Sequence, residues 1–291
     1  MRSECPICRS QQLATGLSNY YHACKSCGYE ARTLEVSGLV ANSQLVSKPR
    51  RPSILQREQV AALRRTTWAG QSVIDIGCGQ GGFLQALAIL DDLPEGSFGV
   101  ELHDESQKVG IEWFGLTILS SLPDQNEPNF ATFWHSAEHF QLSELREVVQ
   151  NLSRSTVGLL ISVPNSRSWV RRITRSRWAF SDSHHHLSQF SMKSLDTLLE
   201  QEGFTREGRL RMVSYECFCC LQSLMNLVTP FNHLYERSKR GRRKADRVLL
   251  SYDILVAALM LLPATILAIV GLLRPASANC LTHVYVPTPN I

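Results

Sequence analysis

Val73-Ile74-Asp75-Ile76-Gly77-Cys78-Gly79-Gln80-Gly81-Gly82 is the stretch that decides the fold of this chain. A β-branched run closes on a loop too rich in glycine to be strand. Gly77, Gly79 and Gly81 admit backbone angles and close approaches that a Cβ would block. A helical pattern follows at once in Phe83, Leu84, Leu87, Ala88 and Leu90. The loop is therefore a strand-to-helix turn, where free backbone N–H groups face a ligand. Further out, Ser97-Phe98-Gly99-Val100-Glu101 gives a second strand ending in a carboxylate. An acid at that position of an α/β sheet can accept both hydroxyls of a ribose.

With its consensus acid-x-Gly-x-Gly-x-Gly at Asp75 to Gly81, the chain resembles the class I S-adenosylmethionine-dependent methyltransferases, in particular the methyltransferase-23-like subfamily. The likeness runs from about Val60 to Val286. It implies a doubly wound seven-stranded α/β sheet. It also implies that the glycine loop lies against the methionine part of the cofactor and that the acid after the second strand holds the ribose. Carried over, the cofactor-binding residues are Asp75, Gly77, Gly79, Gly81 and Glu101.

Phe130 to His135 reads as the fourth strand and runs into His135-Ser136-Ala137-Glu138-His139-Phe140. As a zinc-hydrolase motif, His-x-x-Glu-His would need to lie within a helix. Here it follows a strand directly, at the carboxyl edge where ligands bind in open α/β sheets. The stretch is similar to the Glu-x-x-Glu-His of quinone-biosynthesis O-methyltransferases, where these groups are associated with a divalent metal; this chain has His135 in place of the first Glu. After a fifth strand at Val157 to Val163 come Pro164-Asn165, Trp178, Asp182, His186-Leu187, Phe190-Ser191 and Lys193 to Leu195. That order resembles a methyltransferase subfamily often encoded with bacterial envelope and sugar pathways, with His185 where the subfamily has Arg. The resemblance puts this loop over the cofactor's methyl group. An imidazole there can take the proton of a hydroxyl, because its pKa lies near working pH. The catalytic candidates are His186, then His139, with Glu138 and His135 beside them. A helix from Leu195 to Gly203 and a sixth strand near Leu210 to Tyr215 are expected next.

At the other end, Cys5-Pro6-Ile7-Cys8 and Cys24-Lys25-Ser26-Cys27-Gly28 are two Cys-x-x-Cys pairs with fifteen residues between them. Four thiolates so spaced form a closed tetrahedral zinc site, structural rather than catalytic. Cys5, Cys8, Cys24 and Cys27 are the metal ligands, with Leu13 to Ala23 as the ribbon between them and His22 as a bystander. So small a ribbon draws its stability from the metal.

The chain has 291 residues, 44% of them hydrophobic, and a net charge of +4. Its basicity is local: seven Lys/Arg and one Asp lie in Arg237 to Arg247, and five Arg with no acid lie in Arg167 to Arg177. The remainder is acidic overall, unlike the surface of a general nucleic-acid binder. Nine cysteines behind an N-terminus without an apolar core argue against a secreted disulfide framework and for the cytoplasm.

Ile254 to Leu273 is a run of twenty residues without a charge. As one helix it would reach about 30 Å, the thickness of a bilayer core. Pro263 divides it into halves of nine and ten residues. Leu281 to Val286 then reads as a strand, and the resemblance implies that it is the sheet's antiparallel seventh. Both ends of the run then lie on one side of any membrane, so the expectation is an interface-lying hairpin or a buried helical pair. The basic cluster beside it attracts anionic lipid by about 1 kcal/mol per charge. The layout is thus a zinc ribbon at 1–36, a linker at 37–53 and a methyltransferase domain at 54–291, with 237–274 as a basic, apolar, membrane-associating insertion.

The expected function is S-adenosylmethionine-dependent O-methylation of an amphiphilic, lipid- or glycan-linked small molecule, at the inner face of the cytoplasmic membrane. Two alternatives stand beside it. One is an RNA base methyltransferase that holds RNA through the ribbon and Arg171 to Arg177; the other is a non-catalytic scaffold that keeps the cofactor fold.

Overall fold

The computed structural model describes residues 4–16, 21–32, 51–123, 129–181, 185–230 and 247–289. Residues 37–50 of the linker expected at 37–53, Asp182 to His184, and residues 237–246 of the basic cluster expected from Arg237 to Arg247 lie outside the described residues.

Two sheets are present. The first has three short strands, β1 (Leu13–Thr15), β2 (Tyr21–Cys24) and β3 (Glu30–Arg32), which pair antiparallel in sequence. The second is built from β4 (Ser72–Ile76), β5 (Phe98–Val100), β6 (Ile118–Leu119), β7 (Asn129–Trp134), β8 (Thr156–Pro164), β10 (Phe204–Leu210) and β11 (Cys280–Pro287). Its order is β10-β11-β8-β7-β4-β5-β6. The five strands β4 to β8 run parallel, and β11 inserts antiparallel between β8 and β10. The chain reverses direction across the sheet between β4 and β7, and open α/β sheets bind ligands in the crevice at such a switch point.

Alternation along the strands sorts the core into two layers. Val73, Phe130, Leu160 and Val284 face α1 (Ile54–Leu63) and α2 (Gly82–Leu90). Ile74, Ala131, Phe133, Leu159, Ile161 and Tyr285 face α4 (Leu142–Leu152) and α6 (Met192–Gln201). A third helix, α3 (Asp104–Phe114), leads into β6; neither element stood out in the sequence. Ser53 caps α1: its hydroxyl accepts from the Gln56 N–H at 3.2 Å while the Gln56 side chain takes the Ser53 N–H at 2.8 Å.

The small sheet has a fourth strand. Ser188–Gln189 (β9), between α5 (Trp169–Thr174) and α6, pairs antiparallel with β3. Cys5, Ile7, Cys24, Cys27 and Tyr29 belong to the same buried cluster as Phe190, Leu195 and Leu198. The cysteine ribbon is thus welded to the α4/α6 layer rather than tethered beside it.

Two expectations need correction. The sixth strand is Phe204–Leu210, immediately after the Gly203 stop, and the stretch from Val213 to Met225 is a helix, α7. The apolar run does not break at Pro263: it is part of one helix, α8 (Arg247–Leu273). Proline removes the hydrogen bond to the carbonyl four residues back and costs a helix interior about 3 kcal/mol. Here both Pro263 and Leu259, whose carbonyl loses that bond, are exposed, while Ala264 and Ala268 pack the helix on α5 and α7. That packing outweighs the defect. α8 runs back along α7, with the Tyr252 hydroxyl on the Val228 carbonyl at one end and Gly271 against Glu216 at the other.

Candidate active site

Three loops meet at the carboxyl edge of β4, β5 and β7. The first follows β4. The Gly77 and Cys78 N–H groups donate to the Val100 carbonyl at 2.8 and 3.0 Å, which pins the loop to β5. The three glycines have positive φ, at 68°, 56° and 75° for Gly77, Gly79 and Gly81, but they serve different ends. A Cβ on Gly77 would stand 2.5 Å from that of Ser136, and one on Gly81 would stand 2.4 Å from a Leu116 methyl. A Cβ on Gly79 would meet nothing within 4 Å. Gly77 and Gly81 permit packing; Gly79 leaves the cradle open. Beside it, Glu101 accepts the Gly79 N–H on Oε2 and the His103 N–H on Oε1, both at 2.9 Å. Each carboxylate oxygen keeps a lone pair for a further donor. An open glycine cradle at the start of a helix, flanked by such a carboxylate, fits a nucleoside cofactor.

Asp75 lies beneath this loop, 2% exposed, and accepts the Thr132 hydroxyl at 2.8 Å. Burial pushes its carboxyl up to about 7; the Thr132 bond opposes the shift and the charge of Glu101 adds to it.

The second loop follows β7. His135 has φ of 54°, a strained backbone for a non-glycine residue. Its ring lies between those of Tyr215 and Phe180, with centroids at 4.9 and 5.1 Å. Ser136 donates to the Ile76 carbonyl at 2.6 Å, joining this loop to the end of β4. A single 3₁₀ turn, Ala137–His139, then carries Glu138 and His139.

The third loop brings His186, from forty-eight positions beyond Glu138, into the same place. Its Nε2 lies 3.9 Å from Glu138 Oε1, and His135 Nδ1 lies 3.6 Å from the same oxygen. The His139 and His186 rings meet edge to face at 4.8 Å. Glu138 is 1% exposed and its Oε2 has no hydrogen-bond partner among the described residues. Burial opposes ionisation of Glu138, but the close approach of the His135 imidazole and the charges of His139 and His186 outweigh it and hold the carboxyl below its usual value. All four catalytic candidates therefore form one cluster. The ligand atoms of Glu138, His139 and His186 lie within 4.8 Å of one another, so these three could hold a metal ion.

In the ribbon the Cys5 and Cys27 sulfurs are 3.7 Å apart and those of Cys8 and Cys24 are 3.6 Å apart. A tetrahedron with metal–sulfur bonds of about 2.3 Å has edges of about 3.8 Å. Those two separations match such an edge, and all four sulfurs lie within 4.8 Å of one another, so the cluster could hold a metal ion.

Several residues that shape the site gave no signal in the sequence. Arg171, read as one member of a basic stretch, is 3% exposed and makes a bidentate pair with Glu30 of β3, Nη1 to Oε1 at 2.8 Å and Nη2 to Oε2 at 2.7 Å. It is not available to a nucleic acid, whereas Arg172, Arg175 and Arg177 are exposed. Tyr21 and Tyr29 reach from the ribbon to the third loop: the Tyr21 hydroxyl donates to the His186 carbonyl at 2.9 Å, and that of Tyr29 bonds the Ser188 hydroxyl at 2.8 Å. Each of these contacts joins residues more than 130 positions apart.

A family model described as "Methyltransferase domain" matches residues 50–207. No curated protein matches the chain. Among solved structures, it is similar to a Haloferax volcanii methyltransferase in complex with its methyltransferase activator, at 13% identity and a TM-score of 0.46 over 80% of this chain and 89% of that one. It is similar to phosphoethanolamine N-methyltransferase 2 of Haemonchus contortus at 12% identity and TM-score 0.48, over 84% of this chain and 55% of the other. A third likeness is the cyclopropane synthase of Mycobacterium tuberculosis, at 11% identity and TM-score 0.48 over 79% and 82% of the two chains. With its family model matched over more than half the chain, and with the sheet order and glycine loop described above, the chain belongs to the methyltransferase-domain family and is a class I S-adenosylmethionine-dependent methyltransferase.

Proposed function

We propose that the chain methylates an oxygen of an amphiphilic, lipid- or glycan-linked acceptor at the cytoplasmic face of a membrane. When bound, S-adenosylmethionine supplies an electrophilic methyl group on a sulfonium. The cradle at Gly77, Gly79 and Gly81, with Asp75 beneath it and Glu101 at its edge, would hold that cofactor. His186 is the base that takes the acceptor hydroxyl's proton, with His139 beside it. The buried carboxylate of Glu138 stabilises the resulting imidazolium, and His135 walls the pocket between two aromatic rings. Most of the rate comes from alignment, since an in-line attack on a methyl carbon gains chiefly from holding the two partners at near-attack distance.

The observation that carries the acceptor class is where α8 leads. From Tyr252 to Leu273 it is apolar enough to cross a membrane, yet Leu255, Leu259, Leu262, Ile266 and Leu273 are each more than half exposed. An exposed apolar face of this kind marks an interaction surface. Exposed Trp169 and Ile173 on α5 add to it, with Arg172, Arg175 and Arg177 nearby. Past its end, the chain turns through Asn279 into Cys280, whose sulfur lies 3.8 Å from His135 Nε2. A lipid surface under α8 would therefore present its headgroups close to the imidazole cluster. The domains follow: ribbon at 1–36, linker at 37–53, and catalytic domain at 54–291, with 237–274 as the membrane-associating insertion.

The test is transfer of labelled methyl from the cofactor into fractionated cell extract, alongside flotation with anionic vesicles. Label in lipid or lipid-linked glycan, with flotation lost on deleting 237–274, is the expected result. Label in RNA with salt-sensitive RNA binding and no flotation would replace this reading with the RNA one. Cofactor binding with no labelled product in any fraction would leave a scaffold.

A further inference from the structure

We propose that the metal-loaded ribbon is the device that positions His186, with Tyr21 and Tyr29 as its positioning residues. This rests on the reading of His186 as the acceptor-side base. The segment from His185 to Ser191 is gripped from two sides. From the catalytic domain, the Glu138 carbonyl accepts the Leu187 N–H at 2.8 Å and the Phe190 carbonyl accepts the Ser166 N–H at 2.7 Å. From the ribbon, β3 pairs Glu30 with Gln189 and Ala31 with Ser188, and the Arg32 N–H donates to the Leu187 carbonyl at 3.1 Å. The Tyr21 hydroxyl takes the His186 carbonyl, the Tyr29 hydroxyl takes Ser188, and the Tyr29 ring packs on Phe190 at 5.7 Å. The Ser191 hydroxyl, which caps α6, also donates to the carbonyl of Cys27.

The two tyrosines bracket the second cysteine pair: Tyr21 is three residues before Cys24 and Tyr29 two after Cys27. Fixing those thiolates fixes both hydroxyls. Strands of three, four and three residues cannot hold a shape by their own apolar burial, so the tetrathiolate centre supplies the order. The glycine loop is anchored elsewhere, on Val100, Glu101 and Ser136. Order in the acceptor loop is therefore linked to the metal, and order in the cofactor cradle is not. A reagent or oxidant that takes the thiolates would release His186 while leaving the cofactor site formed.

Hydrogen exchange on the full zinc-loaded chain tests this, with 73–82 as internal reference for 185–191. Zinc is removed by a thiol-directed reagent with a chelator, and separately by Cys8→Ser. Exchange in 185–191 should rise at least tenfold, with that in 73–82 unchanged and affinity for S-adenosylhomocysteine kept within twofold. Unchanged exchange in 185–191 would overturn the proposal. So would an equal rise in both segments, which would make the metal a condition for folding the whole domain. Tyr21→Phe and Tyr29→Phe, each retaining one zinc per chain, should move the His186 ring cross-peak in a histidine-labelled spectrum and raise exchange at Leu187 and Ser188. An unmoved cross-peak in both variants would end the positioning role. Failure of the untreated chain to bind S-adenosylhomocysteine would break the cofactor reading instead, since loop exchange is measured without ligand.

Discussion

The proposed cofactor half and the proposed acceptor half of this site share one sheet edge but are assembled in opposite ways. The cofactor half is local: Asp75, three glycines and the start of α2 are consecutive, and Glu101 is the next strand's end. The acceptor half is collected from His135, Glu138 and His139 on one loop, His186 on another, Tyr215 on α7 and the ribbon's Tyr21 and Tyr29. Its integrity depends on contacts between residues far apart in sequence, so a single distant break should disorder it while the cofactor half survives.

The largest such break is at Arg171. Its bidentate pair with Glu30 is nearly inaccessible, with side chains 4% and 8% exposed, and a guanidinium contact to the Trp178 ring at 5.5 Å supports it. Removing one member of a buried pair strands the other charge and costs about 3–5 kcal/mol. Arg171→Met should lower stability to urea by that amount, and Arg171→Met with Glu30→Gln should recover most of it. If the single variant is as stable as the parent, the ribbon is not welded to α5 and the contrast between the halves fails.

The halves also differ in the sign of their pH dependence. Asp75 has a reference value of 3.8 and stands at about 7 in the folded chain. Between those values the folded chain keeps a proton that the unfolded chain has lost. Its contribution is therefore whole below about pH 4 and disappears as pH rises through 7. Glu216, raised to about 7 chiefly by burial, acts in the same direction from a different place, beneath α8. Glu138 is held below its reference value of 4.5 despite burial. Its contribution is present above that value and is lost as pH falls into the acid range. Asp75→Asn should remove on the order of a few kcal/mol of the loss between pH 4 and 8, leaving the share of Glu216. Glu138→Gln should instead flatten the acid side. Urea midpoints at pH 3.5, 5 and 8 separate the two, and a parallel response of both variants would sink the assignment.

The same contrast explains what could be read from the sequence. The glycine loop, the strands β4, β7 and β8, and the two cysteine pairs were legible, because each is a short pattern with one local physical meaning. His186 and Glu138 became candidates through a resemblance to known loops; that they stand 3.9 Å apart came only from the fold. Nothing local marks Arg171 as different from Arg172, because what separates them is Glu30 on a distant strand. The strand expected at Leu210 to Tyr215 failed for a similar reason: Val213 opens a helix whose buried face is defined by α8, more than thirty residues on. Pro263 was read as a breaker, and packing along α5 and α7 overrode it.

The smallest expected effect on stability lies inside the proposed cofactor half, at the glycine that opens the cradle, and it is set off there against a glycine that permits packing. Gly77→Ala meets a positive φ and a Cβ contact of 2.5 Å with Ser136, whose backbone cannot retreat without moving the β7 loop. The left-handed backbone costs about 1–2 kcal/mol and the overlap about 1–3 more. A fall in thermal stability and disturbed exchange in the Ser136 to His139 loop should appear together. Gly79→Ala has the same φ problem but open space around its Cβ, so it should cost only the backbone share, about 1–2 kcal/mol. Its methyl group, however, stands where a ligand would lie. Affinity for S-adenosylhomocysteine should therefore fall at least tenfold in Gly79→Ala while the Ser136 to His139 loop exchanges as in the parent. If Gly79→Ala binds the cofactor normally, the open face of the loop is not the cradle. The cofactor half would then have to be sought along Glu101 and the edge of β5.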